Sequence, residues 1–159
     1  MIEHNISHLA NTRMIEFSRY DCERSLPSVI DGQRITARKV LYYMAERGEN
    51  AALVKVSQAA SGTAEKTDFH HGDQGIVGVI ANIAQDFIGT NNMNLLVPDG
   101  QFGNILSTDH AAGRYIFTKL HPNFRKLFKK DDDAILKQQF SDGVQIEPEY
   151  YIPILPVLL

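Results

Sequence analysis

Apolar residues at helical spacing mark the first third of the chain. The spacing of Ile6, Leu9, Ile15 and Phe17 predicts a first helix. This helix should end before the Leu26-Pro27 step, because the residue before a proline disfavours helical backbone. The Asp31-Gly32 pair predicts a turn. Thr36 is a predicted N-cap for a second helix, which carries Arg38 and Lys39 and closes at Gly48.

Two helical segments follow one another closely in the middle of the chain. The first covers residues 55–67 and is rich in Ala and Ser. The second covers residues 72–87 and places apolar side chains on one face, at Ile76, Val79, Ile80, Ile83, Ala84 and Phe87. This succession predicts a helix-turn-helix unit whose second helix could face a groove.

Turn residues and short β-favouring runs replace the helical pattern after Gly89. Residues 115–118 have the β-branched and aromatic content of a strand, which predicts a wing beside the helices. Residues 122–128 predict a short helix, and residues 137–140 and 144–146 predict a hairpin around Ser141-Asp142-Gly143. The predicted fold class is therefore α+β.

Composition places the chain among ordinary globular proteins. Its 159 residues are 43% hydrophobic and 22% charged, enough for one sizeable core or two small fused ones. A single cysteine, Cys22, excludes an intramolecular disulfide. No amino-terminal signal and no apolar run near the roughly 20 residues that span a bilayer are present, so an intracellular protein without a membrane partner is expected.

Charge is unevenly distributed. The formal net charge of −3 argues against a protein that coats nucleic acid with its whole surface. One basic cluster comprises Arg24, Arg34, Arg38 and Lys39, and a second comprises Lys119, Arg125, Lys126, Lys129 and Lys130. Both clusters are equally compatible with solvated helix faces. The acidic run 131–133 predicts a helix start or a loop cap and not a metal site.

Arg114-Tyr115 is the pair with the clearest chemical potential. A phenol can attack phosphorus, and the adjacent guanidinium presents donors that match two phosphate oxygens and offset charge growing in a transition state. The dipeptide taken by itself is far more typical of a surface charge beside a half-buried strand aromatic. The motifs around Arg114-Tyr115 have to decide between a chemical site and an ordinary surface pair.

His70-His71 precedes the second helix of the helix-turn-helix unit. Adjacent histidines in extended backbone point apart, and no third ligand lies at zinc spacing, so a shared metal ion is disfavoured. We expect one imidazole to bond within the fold and the other to face a ligand, where Gly72 permits close approach.

Seven motifs lie in order at residues 23–32, 37–41, 70–73, 91–96, 100–103, 114–118 and 147–153. In order and spacing they resemble the DNA-gate segment of type IIA DNA topoisomerases, closest to the eukaryotic, viral and phage enzymes. The similarity runs from about Arg13 to the end of the chain. Any one of them would be weak, but their shared order is specific.

The resemblance implies a winged-helix domain over residues 1–130, followed over residues 131–159 by the start of an α/β tower domain. It implies that Tyr115 is a nucleophile that becomes linked to a DNA 5′-phosphate and that Arg114 stabilises the transition state. Supporting roles at the scissile phosphate fall on Arg38 and His71, and contacts to the DNA backbone fall on Arg24, Arg34, Lys39 and His70.

The resemblance also implies partners that this chain does not supply. Mg²⁺ and ATP would be bound by other domains, since neither a glycine-rich nucleotide loop nor a converging Asp-x-Asp pattern occurs here. Double-stranded DNA, a homodimer formed through other regions, and metal-binding and ATPase domains or subunits are the expected partners. The abruptly apolar end suggests a fragment or a docking subunit, working in a nucleus if eukaryotic and otherwise in host cytoplasm or nucleoid.

Departures from the family pattern occur at three places. Gln33-Arg34-Ile35 replaces Leu-Lys-Pro, which keeps a cation but loses a stiffening proline, and Asp73 replaces a glutamate. Gly113 stands where a bulkier residue is usual, so a looser approach to Tyr115 is expected.

Two alternatives stay open. A winged-helix module that binds DNA without chemistry shares the same elements. A metal-dependent nicking enzyme that pairs histidines with a tyrosine fits less well, because His70-His71 lacks the one-residue spacing that puts both side chains on one strand face.

Overall fold

The first helices lie on the surface. The computed structural model describes residues 6–69 and 72–157, and in it α1 (Ile6–Asn11) and α2 (Arg13–Ser25) have no buried residue. One continuous helix was expected, but the helix breaks at Thr12, whose backbone leaves the helical region and whose hydroxyl donates to the carbonyl of His8. The predicted end before Pro27 is confirmed, since Leu26 is extended.

Helix α3 (Ile35–Glu46) is the central helix. It begins one residue before Thr36, so the predicted threonine N-cap is wrong and Arg34 occupies that position with extended backbone. Its buried stripe is Val40, Leu41 and Met44. The predicted close at Gly48 is confirmed, because Gly48 adopts a φ of +95° and donates its N–H to the carbonyl of Ala45.

Helices α4 (Val56–Lys66) and α5 (Asp73–Ala84) form the predicted helix-turn-helix unit and pack against each other and α3. Small residues make the close approach possible, since Ala59 and Ala60 of α4 are fully buried. At Gly62, an added Cβ would overlap the hydroxyl and ring atoms of Tyr43 on α3. The glycine therefore creates the space that the tyrosine fills.

A small sheet forms the wing. Its strands β1 (Val54–Lys55), β2 (Leu96–Asp99) and β3 (Phe117–Leu120) are antiparallel in the order β1-β3-β2. In this register Thr118 lies opposite Val54 on one side and Pro98 on the other. Pro98 is accommodated because β2 is an edge strand. The strand expected at residue 115 begins at 117, because residues 113–115 form a turn.

The last third of the described chain packs onto these helices. It contains α6 (Asn123–Leu127), a 3-10 helix (Lys130–Ala134) that starts with the acidic run, and the hairpin of β4 (Gln138–Ser141) and β5 (Val144–Pro148). The predicted hairpin is confirmed. Asp142 and Gly143 both have positive φ, as a two-residue turn between twisted strands requires.

One hydrophobic core spans the predicted domain boundary at residue 130. Tyr151 is buried with its ring centroid 5.5 Å from that of Phe124 and 5.1 Å from that of Phe128. Burial raises the pKa of Tyr151. The N–H of Ile154 donates to the carbonyl of Leu127 at 2.9 Å. The division into a winged-helix domain and a tower domain stays a prediction, but residues on both sides of it share packing.

The class is α+β, as predicted. Within the described parts of the chain, no helix is long and apolar enough to cross a bilayer.

Replacing Gly62 by Ala should lower the free energy of unfolding by about 1–3 kcal/mol, because the new methyl group forces the rigid Tyr43 ring out of its place. Urea unfolding followed by circular dichroism measures the change. The matched control is Gly75→Ala on α5, where nothing lies within 4 Å, so better helix propensity should stabilise the chain by up to about 1 kcal/mol. A Gly62→Ala chain as stable as the wild type would contradict the packing described here.

Candidate functional site

Tyr115 and Arg114 are exposed side by side on the turn that precedes β3. Tyr115 is 66% exposed, and the guanidinium carbon of Arg114 lies 4.7 Å from the centroid of its ring. This is cation–π distance, so the arginine is held against the phenol. Among residues 6–69 and 72–157, no hydrogen bond engages the Tyr115 hydroxyl. The phenolic oxygen is therefore accessible to a ligand arriving from solvent.

The turn itself is clamped to the start of α4. The carbonyl of Gly113 accepts a hydrogen bond of 2.9 Å from the N–H of Ser57, and that of Ile116 accepts one of 3.0 Å from Val56. These donors belong to the first turn of a helix, where N–H groups have no intrahelical partner. Arg114 and Tyr115 thus lie between two backbone anchors.

Gly113 is tightly packed, contrary to the loose approach expected from a glycine. A Cβ at this position would lie 3.1 Å from a methyl carbon of Val77 on α5 and 3.3 Å from the backbone nitrogen of Ser57. The absence of a side chain lets the turn lie directly on α4 and α5. The glycine therefore tightens the support beneath Tyr115.

Arg38 is buried, although the sequence prediction placed it at a phosphate. Its Nε donates to Asp31 at 2.7 Å, and one terminal nitrogen donates to Asp31 at 3.1 Å and to the carbonyl of Gln33 at 3.1 Å. Asp31 is fully buried and also accepts from the N–H of Tyr151 at 2.9 Å. This guanidinium is therefore ion-paired inside the fold, and its role at a phosphate stays a prediction.

Lys39 is also engaged within the protein. Its ammonium lies 2.8 Å and 2.9 Å from the two carboxylate oxygens of Glu147 and 2.7 Å from the carbonyl of Thr67. Glu147 is buried, so the lysine neutralises a charge that would otherwise be costly. The predicted contact of Lys39 with the DNA backbone competes with this pair.

Arg24 and Arg34 remain exposed, as a phosphate contact requires. Arg24 pairs with Asp21 at 2.6 Å, with both side chains about half exposed. Such surface pairs contribute little to stability and can be exchanged for another anion. Arg34 lies at the start of α3 with its side chain in solvent.

His70 and His71 lie outside the described residues, so their predicted roles stay predictions. The neighbouring charge pattern is nevertheless informative, because residues 67–113 contain no lysine or arginine. Helix α5 lies within this stretch. Its predicted place in a DNA groove therefore cannot depend on its own cations.

Sequence reasoning missed Asp31, Glu147 and Gln85 as determinants of the site. Asp31 was assigned only a turn, and Glu147 lies 108 residues from its partner Lys39. Asp31 lies only seven residues from Arg38, but nothing local shows that the pair is buried. Glu147 had no local pattern to identify it, because its partner is distant in sequence. Gln85 likewise bonds through its side chain to carbonyls 17 and 23 residues away, in the loop before Tyr115.

The residues described do not form a magnesium site. In the described ranges no group of three or more His, Cys, Asp or Glu side chains could hold a metal ion. Asp133, in the acidic run, instead pairs with Arg125 at 3.0 Å. The location of Mg²⁺ on another domain stays a prediction.

Comparisons with known proteins identify the family. A family model for DNA gyrase/topoisomerase IV, in its A subunits, matches residues 24–159. DNA topoisomerase 2 top-2 of Caenorhabditis elegans is 45% identical over 151 residues, and DNA topoisomerase 2-beta of Gallus gallus is 47% identical over 151 residues. These matches cover 94% of this chain but only 10% and 9% of those proteins, so the chain spans about a tenth of their length.

A solved structure agrees. The topoisomerase II DNA-binding, cleavage and re-ligation domain of Plasmodium falciparum superposes with a TM-score of 0.86 at 44% identity, over 94% of this chain and 20% of that one. The sequence motifs, the winged helix with its exposed Arg114-Tyr115 turn, and these matches agree. The chain belongs to the DNA gyrase/topoisomerase IV family, and its type IIA topoisomerase resemblance is confirmed.

Proposed function

We propose that this chain is the DNA cleavage and religation segment of an ATP-dependent type IIA DNA topoisomerase. The observation that carries the proposal is the exposed phenol of Tyr115, held beside Arg114 on a turn with an anchor on each side. The accessible hydroxyl is what an attacking nucleophile needs. The hydrogen-bonded backbone of the turn restrains the Tyr115 hydroxyl near a position from which it can attack.

In the proposed reaction the Tyr115 oxygen attacks the phosphorus of a DNA phosphodiester. A bond from the tyrosine oxygen to phosphorus forms while the bond from phosphorus to the 3′ oxygen breaks. The phenol loses its proton, and the leaving 3′ oxygen gains one. One phosphodiester replaces another, so the step runs backwards to reseal the strand without external fuel.

Arg114 stabilises negative charge on the phosphoryl oxygens during this exchange. Arg24 and Arg34 contact the flanking backbone of double-stranded DNA, which their exposure supports.

For Arg38 and Lys39 we propose a different role from the one expected from the sequence. They hold the 31–33 loop, the end of α4 and the 147–151 segment together. As the family pattern implies, His71 supports the reaction at the scissile phosphate and His70 contacts the DNA backbone.

The remaining requirements lie beyond this chain. The family implies Mg²⁺ and ATP, and we propose that domains or subunits outside these 159 residues bind them. A second copy of the segment, brought in through a homodimer, allows both DNA strands to be cut. The relatives are eukaryotic, which supports a nuclear enzyme, with host cytoplasm or nucleoid as the location for a viral or phage parent.

Tyr115→Phe in the full-length enzyme should abolish the covalent DNA adduct, because phenylalanine lacks the attacking oxygen. Denaturation of a cleavage reaction with detergent, followed by detection of protein-linked DNA, measures the adduct. DNA affinity should stay within about twofold. Tyr20→Phe, at an exposed tyrosine on α2, is the matched control and should retain the adduct. An adduct that survives Tyr115→Phe would assign the nucleophile to another residue, whereas a wild-type enzyme that forms no adduct would leave only the non-catalytic winged-helix module.

Salt dependence of DNA binding separates the cations that contact phosphate from those that hold the fold. Arg34→Ala should reduce the slope of log affinity against log salt by about one, because one phosphate contact is lost. The double variant Lys39→Met with Glu147→Gln removes the buried pair without leaving a lone charge, and should leave the slope unchanged. Fluorescence anisotropy with a short duplex gives both slopes. A slope reduced equally in both proteins would restore Lys39 as a phosphate contact.

A further inference from the structure

Gln85 is buried where α5 ends, and its side chain reaches the loop before Tyr115. It is only 4% exposed, and its amide nitrogen donates to the carbonyl of Phe102 at 2.8 Å and to that of Thr108 at 2.9 Å. An amide nitrogen carries two hydrogens, so both are used. The two carbonyls bracket residues 103–107, and the glutamine therefore closes that loop at its base.

The closed loop leads directly to the nucleophile. The N–H of Ala111 donates to the carbonyl of Gln101 at 3.0 Å, which joins the two arms of the loop beyond Thr108. Gly113 follows two residues later and packs against Val77 of α5. Helix α5 thus holds the segment before Tyr115 at two points, through Gln85 and through Val77.

Gln85 is itself fixed by the asparagine motif at residues 91–94. Its backbone carbonyl accepts hydrogen bonds from the side-chain amides of Asn91 at 2.9 Å and Asn94 at 2.8 Å. The Asn94 amide also donates to the carbonyl of Ala84, so the motif satisfies the last turn of α5. The glutamine backbone is therefore held on one side while its side chain holds the loop on the other.

We propose that Gln85 is a positioning residue for Tyr115. The inference rests on the proposed function and adds that the end of α5 and the nucleophile-bearing segment are joined through two hydrogen bonds from one buried amide. Gln85 does not touch DNA in this role. It limits the freedom of the loop, and misplacement of a reacting group by about 1 Å is enough to slow a reaction on the order of 100-fold.

Gln85→Met tests the proposal, because methionine keeps the volume and removes both donors. In the 159-residue chain, amide hydrogen exchange at Ala111 should accelerate at least about tenfold, while exchange in α3 should not change. In the full-length enzyme, adduct formation should slow by about 10- to 100-fold with DNA affinity within about twofold of wild type. The matched control is Gln101→Met, at an exposed glutamine that makes one 3.2 Å bond to the carbonyl of Asp109, and both readouts should stay within about twofold.

Gln85→Glu supplies a second test through its pH profile. The introduced carboxylate cannot donate, and burial favours its protonated form, which donates to one of the two carbonyls. The rate of adduct formation relative to wild type should therefore rise as the pH falls. A role limited to stability gives no such recovery when both enzymes are assayed well below their unfolding temperatures.

The outcomes separate this inference from the proposed function. Unchanged exchange at Ala111 in Gln85→Met, or an unchanged adduct rate in an enzyme that forms the adduct, overturns the positioning role. A flat relative pH profile for Gln85→Glu also overturns it. A wild-type enzyme that never forms an adduct overturns the proposed function, while the exchange measurement still decides whether Gln85 holds the loop.

Discussion

Two adjacent buried ion pairs on α3 are the constraint on which the rest of the structure depends. Arg38 with Asp31 and Lys39 with Glu147 place full charges in the core, where each charge is tolerable because it has a close partner and further hydrogen bonds. Together the pairs connect the loop before α3, the end of α4 and the segment that contains Tyr151. The packing of α3 against these segments is therefore specified by electrostatic pairing as well as by apolar contacts.

The candidate site consists of an exposed turn that is attached to helices α4 and α5. Backbone groups at the start of α4 hold the turn on both sides of Tyr115, and Gln85 holds the loop that leads into it. Such a division suits phosphodiester exchange, because the reacting oxygen stays open to solvent while its backbone is restrained. The Tyr115 side chain is thus exposed, while the hydrogen-bonded backbone of the same segment keeps it ordered.

Local patterns were sufficient to predict the helix-turn-helix unit, the hairpin and the short helix at 123–127, because their signals lie within a few residues of each other. Local patterns did not predict the N-cap of α3 correctly at Thr36, because the start of this helix is fixed by the preceding loop, where the buried Asp31 accepts from the N–H of Gln33. The two-residue strand β1 is too short to show alternation. Arg114 and Tyr115 were found through motif order. The contacts of Lys39 with Glu147 and of Asp31 with Tyr151 join residues more than a hundred positions apart and leave no local trace in the sequence.

Those long separations have a consequence for how the chain acquires its structure during synthesis. Glu147 is translated 108 residues after its partner Lys39, and Tyr151 is translated 120 residues after its partner Asp31. Closing so large a loop has an entropic cost that local helix formation does not have. A nascent chain that ends before residue 147 would hold Lys39 without its carboxylate partner and Asp31 without the N–H of Tyr151, so completion of the core is expected to be a late event in folding.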